Sequence, residues 1–242
     1  MIVPDIRQRL TRSDAQLVLA LLGDTGADAA ASAQETLRDQ GFDALLDSPR
    51  LLSAVMTSPR GAFASLPLFL YVVTRHAMLQ QGEPSRAMAD LVGSILLKFS
   101  FGKRAVRIAD VDDEVFDTMA TLLVASHGGD ARRAFMARAH LGNYALWLSG
   151  MFPDRIEHLR WRRGAPGLEY FEEMGRRGWR LAAEHRLAGA HGLTPLFADA
   201  ADRFDTLRKA LNRVSDTLLF PRVHTPERLM RQVKDEVRWR AA

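Results

Sequence analysis

The chain is 242 residues long, has a formal net charge of +4 and contains no cysteine, which excludes disulfides, thiol nucleophiles and cysteine-ligated metal sites. Its hydrophobic fraction of 47% and charged fraction of 26% are ordinary for a soluble globular protein. No stretch free of Asp, Glu, Lys and Arg reaches the roughly 20 residues of a membrane-spanning helix, so we expect a cytoplasmic protein without membrane contact.

The first 60 residues contain short apolar segments and predict an irregular helical N-terminal part. Within it, Ala27–Gln40 has helix-forming residues throughout and is followed by Gly41, a residue type that commonly ends helices. Apolar density rises after this part. Ser65 and Pro67 are typical of a helix start and predict a helix that extends to about Gln81. A further helix is predicted to follow it in the chain.

The stretch after Asp130 predicts the helix around which the rest of the chain is organised. Asp130 is a suitable N-cap, and the helical pattern continues to Phe152, where Pro153 starts the next helix. In its second half, apolar residues, including Trp147 and Leu148, occur on every side of the helical wheel. This pattern is typical of a helix surrounded by other helices. We therefore predict a buried central helix with these two side chains in the core.

Further helices are predicted at about residues 154–161, 168–188 and 194–219, and Gly175 and Gly178 suit close approach of a second helix. We interpret Lys103–Ile108 as an extended connector rather than a strand. No long period-two alternation and no repeat of 20–50 residues is present. The sequence thus predicts one all-α domain over residues 1–242, a bundle of about ten helices around the central helix.

The last predicted helix, residues 226–240, has a narrow apolar stripe formed by Leu229, Val233 and Val237, with Met230 beside it. Its other faces are strongly charged. Such a stripe is typical of a peripheral helix that packs on its own domain or on a second subunit. We therefore expect this helix to support a homodimer.

The segment Leu141–Pro153, with the sequence LGNYALWLSGMFP, is followed by Arg162-Arg163-Gly164 and by Tyr170 and Met174-Gly175. In these motifs the chain resembles a family of uncharacterised bacterial helical proteins. The likeness extends from about Leu66 to Leu211. It implies a bacterial all-α protein, and it brings no activity and no residue roles with it.

Polar residues interrupt the apolar central helix and form the first candidate site. Two of them, His140 and Tyr144, share a face at a spacing of four residues. Buried polar groups need partners, so the set predicts either a polar pocket for a small anionic ligand or a hydrogen-bonded part of the core. The candidate ligand-binding residues are Arg138, His140, Asn143 and Tyr144.

Acidic residues between Asp110 and Asp117 approach the spacing of a calcium loop, but that pattern needs glycine at its sixth position and glutamate at its twelfth, where Thr121 stands. Glutamates and histidines between residues 169 and 191 lack the Glu-x-x-His spacing that di-iron helices use. We therefore expect no metal site and no cofactor.

Residues 131–186 contain eleven arginines, no lysine and six acidic residues, a net charge of +5. Arginine next to tryptophan can pair with phosphate and stack on a base. The alternative is a solvated basic face whose tryptophan is turned inward, because such a face has the same sequence pattern. A second such group, with the sequence RRGWR, follows at 176–180. The candidate polyanion-binding residues are Arg160, Trp161, Arg162 and Arg163.

Catalytic motifs are missing from this sequence: it has no Gly-x-Ser-x-Gly, no phosphate-binding P-loop and no dinucleotide fingerprint. We therefore favour a non-enzymatic interaction or regulatory domain with a basic face for an acidic protein or a nucleic acid. The alternative is a helical small-molecule pocket protein or enzyme built around His140, Asn143 and Tyr144.

Overall fold

A computed structural model of the chain describes residues 3–24, 26–101, 105, 107, 118–128 and 130–240, with side chains described as far as Asp235. It is 80% helical, and its described residues contain fourteen α-helices and no strand, which confirms the all-α class. Within this part of the chain, no helix is long and apolar enough to cross a membrane. The predicted connector Lys103–Ile108 and the acidic run Asp110–Asp117 lie outside the described residues, apart from Ala105 and Arg107.

The helices are numbered here in chain order. They are α1 (Arg12–Gly23), α2 (Ala27–Gln40), α3 (Phe42–Leu46), α4 (Pro49–Thr57), α5 (Leu66–Gln80), α6 (Arg86–Phe99), α7 (Met119–Ala125), α8 (Ala131–Met151), α9 (Pro153–Arg163), α10 (Leu168–Ala183), α11 (Arg186–Ala190), α12 (Thr194–Asp202), α13 (Phe204–Val214) and α14 (Pro226–Arg240). Single turns of 3-10 helix occur at Arg7–Arg9 and Pro59–Phe63, and a π-turn at Ser215–Leu219 follows α13.

The helix count exceeds the predicted ten because several predicted segments are divided. The short apolar pieces of the N-terminal part form the separate helices α3 and α4. The segment predicted at 168–188 is interrupted at His185, whose Nδ1 accepts the backbone N–H of Leu187 at 3.2 Å and so caps α11. The segment predicted at 194–219 is divided at Arg203 into α12 and α13. A local cap, which wheel patterns do not show, thus marks the break at His185, whereas the residue before α13 makes no side-chain cap.

The described residues form two compact units, residues 3–97 and residues 98–240. The expectation of one domain over residues 1–242 therefore stays a prediction, and each unit is described by itself.

Helix α5 carries much of the core of the first unit, since nine of its 15 residues are buried. Ser65 caps it, with the hydroxyl oxygen accepting the N–H of Leu68 at 3.2 Å. A carboxylate joins three elements of this unit: Asp47 lies 2.6 Å from Arg75 of α5 and 2.7 Å from Arg86 of α6. Burial acts to raise the pKa of Asp47, but the hydrogen bonds from these two arginines outweigh it and lower the pKa below its usual value.

The predicted central helix is α8, in the second unit. Asp130 caps it as expected, because its Oδ1 accepts the N–H of Arg132 at 3.0 Å, and Pro153 lies in the first turn of α9. Fourteen of the 21 residues of α8 are buried, which confirms that the helix is enclosed. Trp147 and Leu148, however, are only half-buried. The fully enclosed side chain next to them is Leu146, with 0% exposure.

Close contact between α8 and α10 depends on glycine. A Cβ on Gly178 would lie 2.7 Å from the backbone nitrogen of Gly142 and 2.9 Å from the carbonyl oxygen of Arg138. A Cβ on Gly175 would overlap the ring of Phe204 and lie 3.0 Å from the Cβ of Ala145. The close approach predicted for Gly175 and Gly178 is therefore confirmed: α8 approaches both glycines, and Phe204 of α13 also packs on Gly175.

The face by which α14 packs differs from the prediction. The stripe residues Leu229, Met230 and Val233 are 57%, 46% and 60% exposed, whereas Arg228 and Arg231 are buried. The helix is held by these arginines because acidic side chains on α9 and on the π-turn meet them. Of the two packing alternatives, packing on the chain's own domain is wrong for Leu229, Met230 and Val233, and the side chain of Val237 lies outside the described residues. The homodimer stays a prediction.

The central helix offers a matched pair of stability tests in neighbouring leucines. Leu146→Ala should reduce the free energy of unfolding by about 2–5 kcal/mol, since it leaves a cavity in an enclosed site. Leu148→Ala should cost clearly less, because part of that side chain is already in water. Urea denaturation of both variants measures the difference. Equal losses would contradict the burial described for α8.

Candidate functional site

The four polar residues predicted to form a ligand pocket lie on different sides of α8. His140 is 4% exposed, and its Nε2 lies 2.9 Å from the carbonyl oxygen of Ala105. Asn143 is 1% exposed and points to α10, where its Oδ1 accepts the indole N–H of Trp179 at 3.1 Å. Arg138 donates to the carbonyl oxygen of Ser126 at 3.0 Å, at the end of α7. The structure therefore brings only His140 and Tyr144 together.

An aromatic cluster surrounds this pair. The rings of His140 and Tyr144 are stacked with centroids 6.1 Å apart, and Trp147 stacks on Tyr144 at 5.9 Å. Phe99 meets His140 edge-on at 5.5 Å and Trp147 edge-on at 5.4 Å. Such stacked and edge-on pairs are typical of a packed aromatic core. This geometry favours the interpretation of His140 and Tyr144 as a hydrogen-bonded part of the core over their interpretation as a ligand pocket. A binding role for these residues stays a prediction.

The candidate polyanion-binding residues form the last turn of α9. We call Arg160, Trp161, Arg162 and Arg163 the α9 basic segment. All four side chains are exposed, and the indole of Trp161 is 59% exposed. Arg160 lies 3.7 Å from Glu157 and 3.7 Å from Glu169. Arg162 and Arg163 have no acidic side chain within 4 Å among the described residues.

Backbone geometry places these residues at a helix end. Gly164 follows them in the left-handed region, with a φ of 62°, and its N–H donates to the carbonyl oxygen of Arg160 at 3.0 Å. Arginines in a last turn interact favourably with the negative end of the helix dipole. That interaction accounts for the arginines as a stabilising feature, but it does not account for a large apolar ring left in water at Trp161.

The second arginine–tryptophan group, at residues 176–180, is divided by the fold. Trp179 is fully buried and bonded to Asn143, so it is not available to stack on a ligand. Arg176 lies 3.7 Å from Glu172, and Arg180 lies 3.4 Å from Asp202. The alternative expectation, a basic face whose tryptophan is turned inward, therefore applies to residues 176–180 and not to the α9 basic segment.

Sequence reasoning missed a buried charge network around Arg208 of α13, which is only 1% exposed. Its guanidinium lies 2.7 Å from Glu172, 3.0 Å from Asp205 and 2.7 Å from Asp235 of α14. Burial would lower the pKa of Arg208, but the hydrogen bond and charge of Asp235, with the other carboxylates, raise it above its usual value. Asp205 and Arg208 are three residues apart on α13, and this spacing could have predicted their ion pair from the sequence. It could not have predicted the pairs of Arg208 with Glu172 and Asp235.

A second buried network holds the start of α14. Arg228 lies 2.7 Å from Asp154 of α9 and donates to the carbonyl oxygens of Phe220 and Val223 at 2.8 Å each. Arg231 lies 2.7 Å from Asp216 and 3.2 Å from Asp154. Both networks fix α14 through charges at positions 228, 231 and 235, which share one helix face.

In the part of the chain that the structure describes, no group of three or more His, Cys, Asp or Glu side chains could hold a metal ion.

Comparison with known proteins adds no relatives to this description. No family model matches the chain, and no curated protein and no solved structure is significantly similar to it.

The Arg208 network predicts a large stability loss from a single substitution. Arg208→Met should reduce the free energy of unfolding by about 3–5 kcal/mol, because it removes the nearest counter-charge from the buried carboxylate of Glu172 and the charge that Asp205 and Asp235 share. The matched control is Arg180→Met, whose ion pair with Asp202 has side chains 60% and 69% exposed. That change should cost less than about 1 kcal/mol. Urea denaturation compares them, and similar losses in both variants would contradict the described network.

The same network predicts a pH dependence carried by Asp205. Burial acts to raise the pKa of Asp205, but hydrogen bonding to Lys209 and the charge of Arg208 outweigh it and lower the pKa. A lowered folded-state pKa stabilises the fold above the unfolded value of about 3.9, and this stabilisation is lost as the pH falls through the folded-state pKa. The stability difference between wild type and Asp205→Asn, measured by denaturation, should therefore shrink from pH 7 to pH 3. A difference independent of pH would refute the assignment.

Proposed function

We propose that the protein is a non-catalytic interaction or regulatory domain of the bacterial cytoplasm that binds an acidic partner through the α9 basic segment. The observation that carries this proposal is the exposure of all four side chains, Arg160, Trp161, Arg162 and Arg163, at one helix end.

Charge supports the proposal because the segment offers unpaired cations. Elsewhere in the second unit, arginines such as Arg208, Arg228 and Arg231 are buried against carboxylates. Arg162 and Arg163 differ from them, since the described residues place no carboxylate beside either one. A guanidinium presents a rigid fork of donors that suits carboxylate or phosphate oxygens. The segment can therefore accept an anionic group without first breaking an internal ion pair of these two side chains.

Trp161 supports a binding role by its position among these cations. A tryptophan that is 59% exposed leaves apolar ring surface in water, and contact with a partner removes that surface. Tryptophan and arginine are also the residue types that dominate the energy of many protein interfaces. An indole beside guanidinium groups suits a partner that combines negative charge with a flat or apolar surface.

Salt dependence of binding tests the proposal. We expect the full chain to bind a labelled single-stranded oligothymidylate or poly-glutamate at low salt, measured by fluorescence anisotropy. For the oligonucleotide, log affinity falls linearly with log salt concentration. Replacing Arg160, Arg162 and Arg163 together by Gln should make the slope of this line less negative by about 2, because each lost phosphate contact removes roughly 0.7 from the slope. Trp161→Ala should weaken oligonucleotide binding by about 1–3 kcal/mol if bases stack on the indole, and should affect poly-glutamate less.

A matched control keeps the net charge change equal. Arg12, Arg50 and Arg213 are exposed arginines on other helices, and their joint replacement by Gln removes the same three charges. If this control weakens binding as much as the α9 triple variant, general charge explains the affinity and the proposed site is wrong. If neither polyanion binds at low salt, the polyanion-binding role is wrong, and the last turn of α9 is a solvated face.

A further inference from the structure

A pocket of about 520 Å³ lies between the first turns of α8 and the short helix α11, both in the second unit. We call it the α8–α11 pocket. Its volume falls within the range of roughly 300–1,000 Å³ that is usual for small-molecule sites. The side chains that line it include Arg132, Phe135, Met136, Arg186, Leu187 and His191.

The polar side of this pocket is mainly cationic. Arg132, Arg186 and His191 are exposed, and neither arginine has a carboxylate within 4 Å among the described residues. Among the described residues, Asp130 is the one acidic residue that lines the pocket, and its Oδ1 already accepts the N–H of Arg132 at 3.0 Å as the cap of α8. The formal charge of the two arginines therefore exceeds that of the single carboxylate, which favours an anionic ligand over a cationic one.

Helix stability does not explain where these arginines lie. Arg132 is in the first turn of α8, where a positive side chain faces the positive end of the helix dipole. Because Asp130 caps that end, the pocket's attraction for an anion rests on the guanidinium groups rather than on free backbone N–H groups.

The opposite side of the pocket is apolar and rigid. Phe135 is 2% exposed, stacks on His185 with ring centroids 5.2 Å apart and meets Phe197 edge-on at 6.3 Å. Met136 and Leu187 are half-buried beside it. These side chains form a wall against which an aromatic or aliphatic group loses its water.

We propose that the α8–α11 pocket binds a small organic anion, with its carboxylate or phosphate on Arg132 and Arg186 and its apolar body on Met136 and Leu187, which pack beside the buried Phe135. This inference is independent of the proposed function, because it uses none of the residues of the α9 basic segment.

His185 provides a reporter for occupancy. Burial lowers the pKa of His185, and the charges of Arg138 and Arg186 lower it further. An anion on Arg186 offsets part of that positive charge, so the pKa of His185 rises when the pocket is filled. The imidazole resonances of His185, assigned with a His185→Gln variant, follow this change by NMR.

The experiment uses the full chain, with phenyl phosphate as the probe. Inorganic phosphate and phenol, which correspond to the two halves of the probe, serve as comparison ligands. We expect phenyl phosphate to bind more tightly than either half, by titration calorimetry, and to raise the pKa of His185. Arg132→Gln and Arg186→Gln should each weaken phenyl phosphate binding about three- to tenfold, the range of one exposed charge-assisted contact. Leu187→Ala should weaken phenyl phosphate binding and leave inorganic phosphate binding unchanged.

Three outcomes overturn the inference. The first is equal affinity for phenyl phosphate and inorganic phosphate, which would show attraction to surface charge without an apolar contact. The second is binding that survives Arg132→Gln and Arg186→Gln but is lost in the Arg160, Arg162 and Arg163 triple variant, which would place the anion at α9. The third is the absence of phenyl phosphate binding to the wild-type chain, in a sample that urea denaturation shows to be folded with normal stability.

Discussion

The second unit depends on the close approach of α8 and α10, which the absence of side chains at Gly142 and Gly178 permits. A Cβ at Gly178 would come within 2.7 Å of the backbone of Gly142, so no other residue fits there without moving a helix. The same contact buries Trp179 completely and places its indole N–H on Asn143. The indole N–H and the amide oxygen thereby satisfy one another, while the Nδ2 of Asn143 has no hydrogen-bond partner among the described residues. The polar positions of α8 are thus explained largely by packing.

Around this contact, charge rather than apolar surface attaches the last helix. A buried guanidinium is costly unless carboxylates meet it, so Arg208, Arg228 and Arg231 fix the elements that carry their partners. Asp235 connects α14 to α13, and Asp154 connects it to α9. The arrangement leaves Leu229, Met230 and Val233 of the apolar stripe exposed. Ion pairs have strict distance and direction requirements, so these networks specify how α14 lies more narrowly than an apolar face would.

The arginines of the second unit therefore divide into two groups with different consequences. One group is buried and neutralised, and it serves the fold. The other group consists of Arg162 and Arg163 at the end of α9 and of Arg132 and Arg186 in the α8–α11 pocket. These four side chains are exposed and have no carboxylate within 4 Å in the described residues. Both exposed sites place guanidinium groups next to an aromatic or apolar surface, Trp161 in one and Phe135 in the other. We propose that this combination favours ligands that are anionic and partly apolar over small inorganic ions.

The sequence by itself determined the all-α class, the cap and the end of α8, and the close approach at Gly175 and Gly178. These features depend on spacing along a helix and on backbone sterics, which are local. Only the tertiary structure decided that Trp179 is buried while Trp161 is exposed, although both stand beside arginines. It also decided that α14 packs by Arg228 and Arg231 instead of by Leu229 and Val233. The physical reason is that a charge can be buried only where partners from distant parts of the chain converge, and no pattern within one helix records where those partners lie.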